Sequence, residues 1–395
     1  MTKVLLLSNG ITPDHLGGLQ RYVRELAGAL VRAGADVTVV ARRKDPNLPL
    51  CELAEDGVTI QRFAGPSKAS RAYALTYPLG AGRAALAAVD AHPDHLVHTH
   101  FPLQAFPLLL KRRRPFVHTF HAPVYREIES ERQGSYALPR PLERVVVAAS
   151  RRGERAMVRR ATAIITLSAF MRDEVAALDA PAGARVTQVP GGIDTTRFTP
   201  DGSAVEHPWA TGDGPLLFTA RRLVPRTGVG ELVEAMPEIL TQVPGARLVI
   251  AGAGALAGRI AARVDALGLR ERVLLAGRVS DGDLLGWYRA ADLVVIPTQE
   301  LEGFGLATAE ALACGTPVVA TPAGANGELL TPLSPRLVAD GTAPADIARA
   351  VIAVLADPAL LAAVAARARA HVHPAMSWDA LAARHLRLYA QLAAA

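Results

Sequence analysis

Cysteine is scarce in this sequence: the 395 residues include only two, Cys51 and Cys314. Two cysteines form at most one disulfide, so a small fold that depends on a framework of disulfides is excluded. Neither cysteine lies in a cysteine-rich segment. We therefore expect a protein of the reducing cytoplasm.

Long hydrophobic runs are also missing. A run such as Val4–Leu7 is far shorter than the ~20 apolar residues that a membrane-spanning helix needs. The N-terminal segment has neither the apolar length nor the small-residue cleavage pattern of a signal peptide. We expect no transmembrane segment and interpret residues 4–8 as a first β-strand.

Lysine is nearly absent, with four residues among 43 basic side chains and none after Lys111. Residues 1–195 carry 26 basic and 18 acidic side chains, whereas residues 196–395 carry 17 and 19. This asymmetry favours two domains with different partners. The excess of basic over acidic side chains is greatest in residues 111–172. One hypothesis is that residues 111–160 contact an anionic membrane surface, and the other is that their basic side chains form a solvated face. Nucleic acid is not expected, because the segment lacks aromatic interleaving and any recognised binding module.

A helix is predicted after Pro141 in this basic segment. Its arginines share one face, opposite an apolar face, as in an amphipathic helix. The basic face consists of Arg144, Arg151, Arg155 and Arg159, and the apolar face of Leu142, Val145, Ala149 and Ala156.

Apolar strand patterns alternate with amphipathic helix patterns along the chain, which is typical of an α/β fold with parallel sheets covered on both faces. The series occurs twice and is interrupted at residues 199–214, where turn-forming residues replace the periodicity. We predict an N-terminal domain over residues 1–198, a C-terminal domain over residues 199–376 and a final helix over residues 377–395. The predicted strands are Val4–Ser8, Val37–Val40, Thr59–Phe63, Leu96–His98, Phe116–Phe120, Ala163–Leu167, Leu216–Ala220, Arg247–Ala251, Val273–Ala276, Leu293–Pro297 and Pro317–Ala320.

Two glycine-rich loops each precede a predicted helix. Gly17-Gly18-Leu19-Gln20 lies before the first helix, where glycines permit close approach and free N–H groups attract an anion such as a diphosphate; a plain turn is the alternative. Gly252–Ala257 has the G-x-G-x-x-A pattern of a dinucleotide-binding loop. The following strand ends in Gly277-Arg278 rather than in an acidic residue for the ribose. A nicotinamide-dependent enzyme is therefore a minority hypothesis.

The most specific segment runs from Glu300 to Ala320. Glu302 and Glu310 are separated by seven residues, and the glycine-bearing loop between them gives way to a helix. An ionised glutamate has two acceptor oxygens, so one on the helix suits two ribose hydroxyls and one in the loop suits sugar hydroxyls. Two solvated glutamates are the alternative, but Gly303 and Gly305 around Phe304 at a strand end are not typical of a plain surface loop.

This segment resembles the E-x7-E motif of the retaining glycosyltransferases of family 4, which have the GT-B fold. Matches to the family follow in order along the chain. They are Gly17–Leu26 for the first loop and helix, Thr119-Phe120-His121 for a T-x-H motif, Val189–Phe198 for the interdomain segment, Arg222–Gly228 for the phosphate-binding R-L-x-x-x-K-G and Trp287–Asp292 before a strand.

The resemblance implies two Rossmann-like α/β domains facing across a cleft, with the last helix crossing back to the N-terminal domain. The C-terminal domain would bind the nucleotide-sugar donor and the N-terminal domain the acceptor. The implied catalytic residues are His121, Glu302 and Arg222. The donor-binding residues would be Gly18, Arg222, Arg226, Thr227, Gly303, Phe304, Gly305, Leu306 and Glu310, and the acceptor-binding residues Gln20, His98 and Tyr125.

One position departs from the family pattern. Thr227 stands where the family usually has lysine. Either Arg226 supplies the missing charge, because guanidinium binds phosphate bidentately, or Thr227 and backbone N–H groups compensate. His98 and His100 have the spacing of a metal pair, but no third ligand is evident, so neither metal nor cofactor is expected.

We therefore expect a metal-independent transferase that moves a sugar from a UDP- or GDP-sugar to a hydroxyl of a small molecule, lipid or glycan, with retention of anomeric configuration. Because of Thr227, a degenerate protein that binds nucleotide sugar without turnover remains an alternative. A nucleotide-sugar epimerase and an NAD-dependent oxidoreductase are further alternatives.

Overall fold

Thirteen β-strands in two sheets organise the part of the chain that the computed structural model describes, which is residues 1–15, 17–65, 73–110, 114–130, 140–209 and 214–394. The strands are β1 (Lys3–Leu7), β2 (Asp36–Arg42), β3 (Cys51–Leu53), β4 (Thr59–Phe63), β5 (Leu96–Thr99), β6 (Phe116–Phe120), β7 (Ala163–Thr166), β8 (Val186–Gln188), β9 (Leu216–Ala220), β10 (Arg247–Ala251), β11 (Val273–Gly277), β12 (Leu293–Ile296) and β13 (Val318–Ala320).

Helices separate most of these strands, as parallel pairing requires. They are α1 (Gly18–Arg32), α2 (Tyr73–Ala91), α3 (Pro102–Ala105), α4 (Val124–Ser130), α5 (Arg140–Arg160), α6 (Ala169–Leu178), α7 (Ala180–Gly183), α8 (Val229–Gln242), α9 (Ala257–Ala266), α10 (Asp281–Ala290), α11 (Leu306–Ala313), α12 (Asn326–Leu330), α13 (Pro344–Leu355), α14 (Pro358–Val372) and α15 (Trp378–Ala394). The predicted α/β class is confirmed.

The chain divides into two units. The first contains Met1–Tyr125, Pro141–Gly192 and Met376–Ala395, and the second contains Ile193–Ala375 with the described part of Arg126–Arg140. The boundary that we predict after residue 198 therefore lies inside the second unit.

The sheet of the first unit has eight strands in the order β3-β4-β2-β1-β5-β6-β7-β8. All neighbours are parallel except β3, which pairs antiparallel with β4 at the edge. The central strands are buried on both faces, and Phe116, Phe120 and Met157 belong to one core beneath helices α5 and α6. Neither β3 nor β8 is predicted from the sequence, because each has three residues and an exposed or half-buried pattern.

Helix α15 returns the C-terminus of the chain to the first unit, where it packs against α1. Trp378, at its start, lies against Gly192, where a Cβ atom would come within 2.4 Å of the indole ring. His385 and Tyr389 are fully buried. The final helix is thus part of the core of this unit.

The sheet of the second unit has the order β11-β10-β9-β12-β13, with all strands parallel. The first strand, β9, lies in the centre, with β10 on one side and β12 on the other. After β9, the chain adds β10 and β11 on one side of the sheet and then β12 and β13 on the other. The switch point therefore lies between β9 and β12. In open parallel sheets, ligands bind beyond the carboxyl ends of the strands at such a switch point.

Helix α5 corrects one sequence-based expectation. The predicted apolar face is turned outward at its start, where Leu142 is 50% and Val145 64% exposed. The buried face instead contains Glu154, whose carboxylate accepts the N–H groups of Val124 at 2.8 Å and Tyr125 at 3.4 Å. A carboxylate at the start of α4 satisfies N–H groups that have no partner within that helix, which explains why this side of α5 faces inward.

The predicted contact between residues 111–160 and an anionic membrane stays a prediction. Residues 111–113 and 131–139 lie outside the described residues. Two arginines of the predicted basic face, Arg155 and Arg159, pair with Asp179 of the same unit. Within the described ranges no single helix is long and apolar enough to span a bilayer; α13 and α14 meet that test only as a pair, bent by 90°.

Candidate active-site residues

Two strand ends bring the central site residues of the second unit together. Arg221 follows β9, and Thr298 and Glu302 follow β12, the strand beside it. Because parallel strands end on the same edge of a sheet, side chains distant in sequence meet there. The site lies at the switch point of this sheet.

Arg221, Thr298 and Glu302 form a closed set of contacts. Arg221 Nη2 donates to Glu302 Oε2 at 2.5 Å and to Thr298 Oγ1 at 2.8 Å, and Thr298 Oγ1 donates to the same Glu302 oxygen at 3.0 Å. The side chains of Arg221 and Glu302 are 11% and 13% exposed. The carboxylate is therefore held by a cation and a hydroxyl in a largely buried position.

The ionisation of Glu302 follows from these contacts. Burial raises the pKa of its carboxyl. The charge and hydrogen bond of Arg221 and the hydroxyl of Thr298 lower this pKa by more than burial raises it, so the net pKa is below the ordinary value. Glu302 is thus an ionised hydrogen-bond acceptor at neutral pH.

The backbone around Glu302 is strained. Leu301 has φ +58°, and no other non-glycine residue of the described chain has a positive φ. The next loop packs closely on it: a Cβ at Gly324 would lie 2.2 Å from the Glu302 carbonyl oxygen, which accepts the Ala325 N–H at 2.9 Å. Strained backbone of this kind often occurs where a side chain must be presented to a ligand.

Thr227 faces its own loop. Its side chain is buried, and Oγ1 is 2.6 Å from the Arg222 carbonyl oxygen and 2.7 Å from that of Val224. A hydroxyl has one proton, so it donates to one carbonyl at a time. The Thr227 side chain serves the loop, and its predicted donor contact gains no support from these bonds.

Arg226 lies beside Thr227 and is largely buried, at 14% exposure. Burial lowers the pKa of its guanidinium and the positive charges of Arg222 and Arg221 lower it further, while the carboxylates of Glu127, 3.8 Å from Nη2, and Glu302 oppose this shift in part. Its Nη1 donates to the Leu301 carbonyl oxygen at 3.4 Å, and its Nε is buried without a hydrogen-bond partner among the described residues. A buried cation close to two others with an unsatisfied N–H is a favourable place for an anion.

Arg222 is the second residue of the loop after β9, residues 221–228, which we call the arginine loop. Its side chain is exposed, and it lies close enough to Arg226 for their charges to repel. Together, Arg221, Arg222 and Arg226 place three guanidinium groups in one loop of the second unit. Arg221 is paired with Glu302, so the charge available to a multiply charged anion such as a diphosphate comes from Arg222 and Arg226.

The segment after Glu302 leads into α11. Gly305, with φ +90°, precedes the first residue, Leu306, and no side chain caps the helix. Phe304 is buried, whereas Gly303 and Leu306 are half-buried. Helix N-termini with uncapped N–H groups attract acceptor atoms.

Glu310 lies one turn into α11 and is 9% exposed. Its Oε2 accepts the hydroxyl of Tyr288 at 3.2 Å, and burial together with the charge of Glu310 raises the pKa of Tyr288 well above its ordinary value. The tyrosine remains a neutral donor that orients the carboxylate. Such an oriented carboxylate suits vicinal hydroxyls.

The backbone of the loop Gly252–Ala257 packs directly against the backbone of the arginine loop. A Cβ at Gly252 would lie 1.8 Å from the Arg221 carbonyl oxygen, and one at Gly254 2.2 Å from that of Leu223. The Leu223 N–H donates to the Ala253 carbonyl oxygen at 3.0 Å. The glycines are required by this backbone packing, which leaves the dinucleotide-binding interpretation without its main support.

In the first unit, α1 begins at Gly18 after a short loop. Its N-cap residue, Gly17, has no side chain to offer, and the first residues of the helix are exposed or half-buried. Gln20 Nε2 donates to Asn9 Oδ1 at 2.9 Å, which fixes the amide beside the end of β1. The helix start is thus open to a ligand.

His98 does not have the predicted contact with an acceptor. It is fully buried, with Nδ1 2.7 Å from the Tyr389 hydroxyl and Nε2 2.7 Å from Thr119 Oγ1. Both ring nitrogens are used inside the core, so His98 is a structural histidine. The correction has a physical reason: α15 covers β5, which the strand pattern alone does not indicate.

His121 follows β6 and is half-buried. Its Nε2 is 3.0 Å from His100 Nδ1, and its ring packs edge-on against Tyr22 at 4.9 Å between centroids. Burial lowers the pKa of His121 to about 3, with smaller contributions from His118 and His385. The imidazole is neutral, and its Nδ1 makes no hydrogen bond within the described structure.

Tyr125 ends the first segment of this unit. The Arg151 guanidinium carbon lies 5.7 Å above its ring, as in a cation–π contact. Its backbone N–H is one of the two held by Glu154. Whether it contacts an acceptor stays a prediction.

Metal-ligating side chains do not converge within the described ranges. They contain no group of three or more His, Cys, Asp or Glu residues arranged to hold a metal ion. His98 and His100, the spacing of which resembles a metal pair, have ring centroids 4.2 Å apart, with the ring planes tilted by 38°.

Sequence reasoning does not identify Arg221 or Thr298. Both follow strands, but strand order is needed to place those strand ends side by side. A usable signal exists, because the first strand of a doubly wound unit lies at its centre and the residues that follow it line the switch point.

Comparison with known proteins gives the family. The profile of "Glycosyltransferase Family 4" matches residues 16–197, and that of "Glycosyl transferases group 1" matches residues 207–371. The chain is 32% identical to a D-inositol 3-phosphate glycosyltransferase of Xylanimonas cellulosilytica, over 95% of this chain and 92% of that one. The chain belongs to glycosyltransferase family 4.

The glycosyltransferase is also similar to other members and to solved structures. It is 29% identical to a glycogen synthase of Mycobacterium tuberculosis, over 98% of this chain and 94% of that one. Among solved structures it matches sucrose-phosphate synthase from Thermosynechococcus elongatus with a TM-score of 0.78, 26% identity and full coverage of both chains. The resemblance to family 4 and the expected GT-B fold class are confirmed.

Proposed function

We propose that this glycosyltransferase transfers a sugar from a UDP- or GDP-sugar to a hydroxyl group, with retention of anomeric configuration and without a metal ion. The observation that carries the proposal is the pair of loop cations Arg222 and Arg226 beside the buried, ionised Glu302, which is held by Arg221. Cations next to an oriented acceptor suit a ligand that joins a diphosphate to a polyhydroxylated sugar.

Each part of the donor has a proposed partner. Arg222 and Arg226 bind the diphosphate, and Glu310, oriented by Tyr288, accepts hydrogen bonds from the ribose hydroxyls. Glu302 and the N–H groups of Gly303–Gly305 bind the transferred sugar. Gly18 and His121 of the first unit contribute an N–H group and a neutral imidazole.

The chemistry requires electrostatic stabilisation more than a reactive side chain. Breaking the bond between the anomeric carbon and the phosphate oxygen leaves an oxocarbenium-like centre and a more strongly charged diphosphate. The acceptor hydroxyl oxygen then bonds to the anomeric carbon, and its proton passes to the departing diphosphate oxygen. Arg222 and Arg226 stabilise the departing diphosphate, and Glu302 orients the sugar. Preorganised donors and cations of this kind supply a large part of enzymatic rate enhancement. We propose no covalent nucleophile.

The acceptor is proposed to be a polyol or sugar hydroxyl. The names of the two relatives cited above specify inositol 3-phosphate and glycogen, one a small phosphorylated ring and the other a polysaccharide. Both compounds contain hydroxyl-bearing rings, and we propose an acceptor of this kind for the present glycosyltransferase. Competing transfer assays with inositol 3-phosphate and with glycogen separate the two kinds of acceptor.

Calorimetric titration tests the donor proposal. The protein is titrated with UDP, GDP, dTDP, ADP and NAD, each with and without a chelator. We expect micromolar binding of one nucleoside diphosphate whatever the chelator, followed by transfer from the corresponding sugar nucleotide. Binding of NAD alone would overturn the proposal and favour an oxidoreductase. Nucleotide-sugar binding without any turnover, hydrolytic or to an acceptor, would support a degenerate binding protein.

Three substitutions assign the proposed roles. Hydrogen bonds to charged groups contribute about 1.5–3 kcal/mol, so Arg222→Ala and Glu310→Ala should each weaken nucleoside diphosphate binding about tenfold or more. His121→Ala should leave that affinity nearly intact and lower turnover. Arg259→Ala, at an exposed position of α9, is the matched control. Unchanged affinity in Arg222→Ala, or full activity in His121→Ala, would remove that residue from the site.

A further inference from the structure

Arg221 is the best-defined side chain that the proposed donor contacts leave without a role. It approaches Glu302 from the neighbouring strand end, and its Nη2 lies 2.5 Å from Oε2. Both side chains are nearly nine-tenths buried. A buried ion pair costs desolvation free energy, so its presence at a site of ligand binding indicates a specific task.

The contacts on Glu302 are confined to one of its two oxygens. Arg221 and Thr298 both donate to Oε2, whereas Oε1 makes no hydrogen bond within the described structure. Thr298 is itself fixed, being fully buried with its carbonyl oxygen bonded by the Thr321 hydroxyl. A carboxylate anchored through one oxygen presents the other in a fixed direction.

We propose that Arg221 is a positioning residue, which holds Glu302 ionised and in one rotamer so that Oε1 accepts a hydrogen bond from a hydroxyl of the donor sugar. This inference rests on the proposed function. Preorganisation of this kind reduces the conformational entropy that the carboxylate loses when the sugar binds. Arg221 thereby determines the sugar-dependent part of donor affinity.

The alternative role for Arg221 is direct binding of the donor phosphates, and it can be distinguished from positioning of Glu302. The glycosyltransferase has no lysine after Lys111, and Arg221 Nε is buried without a partner among the described residues. If Arg221 supplied a phosphate-binding cation, its loss would weaken binding of the nucleoside diphosphate itself. If it positions Glu302, its loss would weaken only binding of the nucleotide sugar.

The test compares two ligands in a double-mutant cycle. Arg221→Met, Glu302→Gln and the double variant are titrated with UDP and GDP and with UDP-glucose, UDP-N-acetylglucosamine and GDP-mannose. We expect each single variant to lose about tenfold or more of the affinity for the accepted nucleotide sugar and about twofold or less for its nucleoside diphosphate. The double variant should bind the nucleotide sugar no more weakly than Glu302→Gln does, because both substitutions disrupt the same Arg221–Glu302 pair.

The pH dependence gives a readout that simple loss of structure would not change. In Arg221→Met the burial of Glu302 persists and the largest lowering contribution is lost, so the pKa of Glu302 rises, although Thr298 and Arg226 still lower it. Nucleotide-sugar affinity in this variant should therefore fall with decreasing pH and recover as pH rises, over a range where the unmodified protein is insensitive. Arg221→Lys, which keeps a charge, should restore part of the affinity.

The outcomes separate the two proposals. Arg259→Met is the control, since this arginine is exposed on α9. Equal losses for nucleotide sugar and nucleoside diphosphate, or additive losses in the double variant, would overturn the positioning role. Unchanged nucleotide-sugar affinity in Arg221→Met would also overturn it, with the proposed function intact. If the unmodified protein binds no sugar nucleotide of the panel, the proposed function fails, and this inference fails with it.

Discussion

Thr227 occupies the position of the family's lysine, but its side chain hydrogen-bonds within its own loop. Its hydroxyl is directed at the carbonyl oxygens of Arg222 and Val224, within the loop that carries Arg226. The arginine beside it is buried and has an unsatisfied N–H. We therefore propose Arg226, rather than Thr227, for the charge that the family's lysine supplies.

Thr227→Val tests the loop role of the hydroxyl. The substitution keeps the shape and removes the donor, so the free energy of unfolding should fall by about 1 kcal/mol. Thr227→Ser keeps the donor and should bind nucleoside diphosphate as the unmodified protein does. Urea denaturation and calorimetry measure the two effects. A stable Thr227→Val protein that no longer binds nucleotide would show that the hydroxyl contacts the ligand directly.

At the scale of elements, the start of α8 depends on one glycine. Gly228 has φ +71°, and a Cβ atom there would lie 1.7 Å from the carbonyl oxygen of Pro297, directly after β12. The loop after β9 is thus pressed against the end of β12 at this point. This contact fixes the spacing between the arginine loop and the segment that carries Glu302.

Gly228→Ala should separate these two segments. A left-handed backbone is strained for alanine, and the clash with backbone atoms adds to the strain, so we expect a loss of about 3 kcal/mol or more in unfolding free energy. Gly230→Ala is the matched control, since nothing lies within 4 Å of its Cβ position in α8. It should raise stability by about 0.5–1 kcal/mol. Equal stabilities of the two variants in urea denaturation would contradict the required contact.

At the scale of the whole molecule, the first unit contains a group of neutral histidines. Burial lowers the pKa of all five: to about 4 in His118 and His385, to about 3 in His121, and well below the ordinary value in His98 and His100. They belong to β5, β6, the segments that follow these strands and α15. The fold of this unit thus depends on histidines that stay uncharged.

The stability of the first unit should decrease below about pH 6.5. Unfolded histidines bind protons there, while the folded ones do not, so protons favour the unfolded state. The stabilisation is fully present above pH 6.5 and is lost as pH falls toward the folded pKa values, by about 1.4 kcal/mol per pH unit for each histidine. His385→Gln should reduce the slope by one such contribution.

Tryptophan fluorescence can report on this unit separately. Trp378 lies in the first unit, 5.3 Å from Tyr22 between ring centroids, whereas Trp209 and Trp287 lie in the second. A protein with Trp209→Phe and Trp287→Phe leaves Trp378 as the reporter during urea denaturation at pH 8, 7, 6 and 5. A midpoint that does not change between pH 7 and 5 would contradict neutral burial of the histidines.

Much of the fold could be predicted because strand and helix patterns are local. The predicted strands Thr59–Phe63, Phe116–Phe120, Leu216–Ala220 and Arg247–Ala251 have the observed bounds. The family, the class of fold and the chain positions of Arg222, Glu302 and Glu310 follow from motifs of contiguous residues. Periodicity and glycine placement determine these features without reference to distant segments.

What the tertiary structure decided depends on which distant segments pack together. Arg221 meets Glu302 because β9 pairs with β12, His98 is closed off because α15 covers β5, and α5 turns Glu154 inward to hold the start of α4. None of these contacts has a local signature, since each joins residues at least 29 positions apart. The sequence by itself therefore determined the elements and the family, whereas strand order and helix packing decided which side chains form the site.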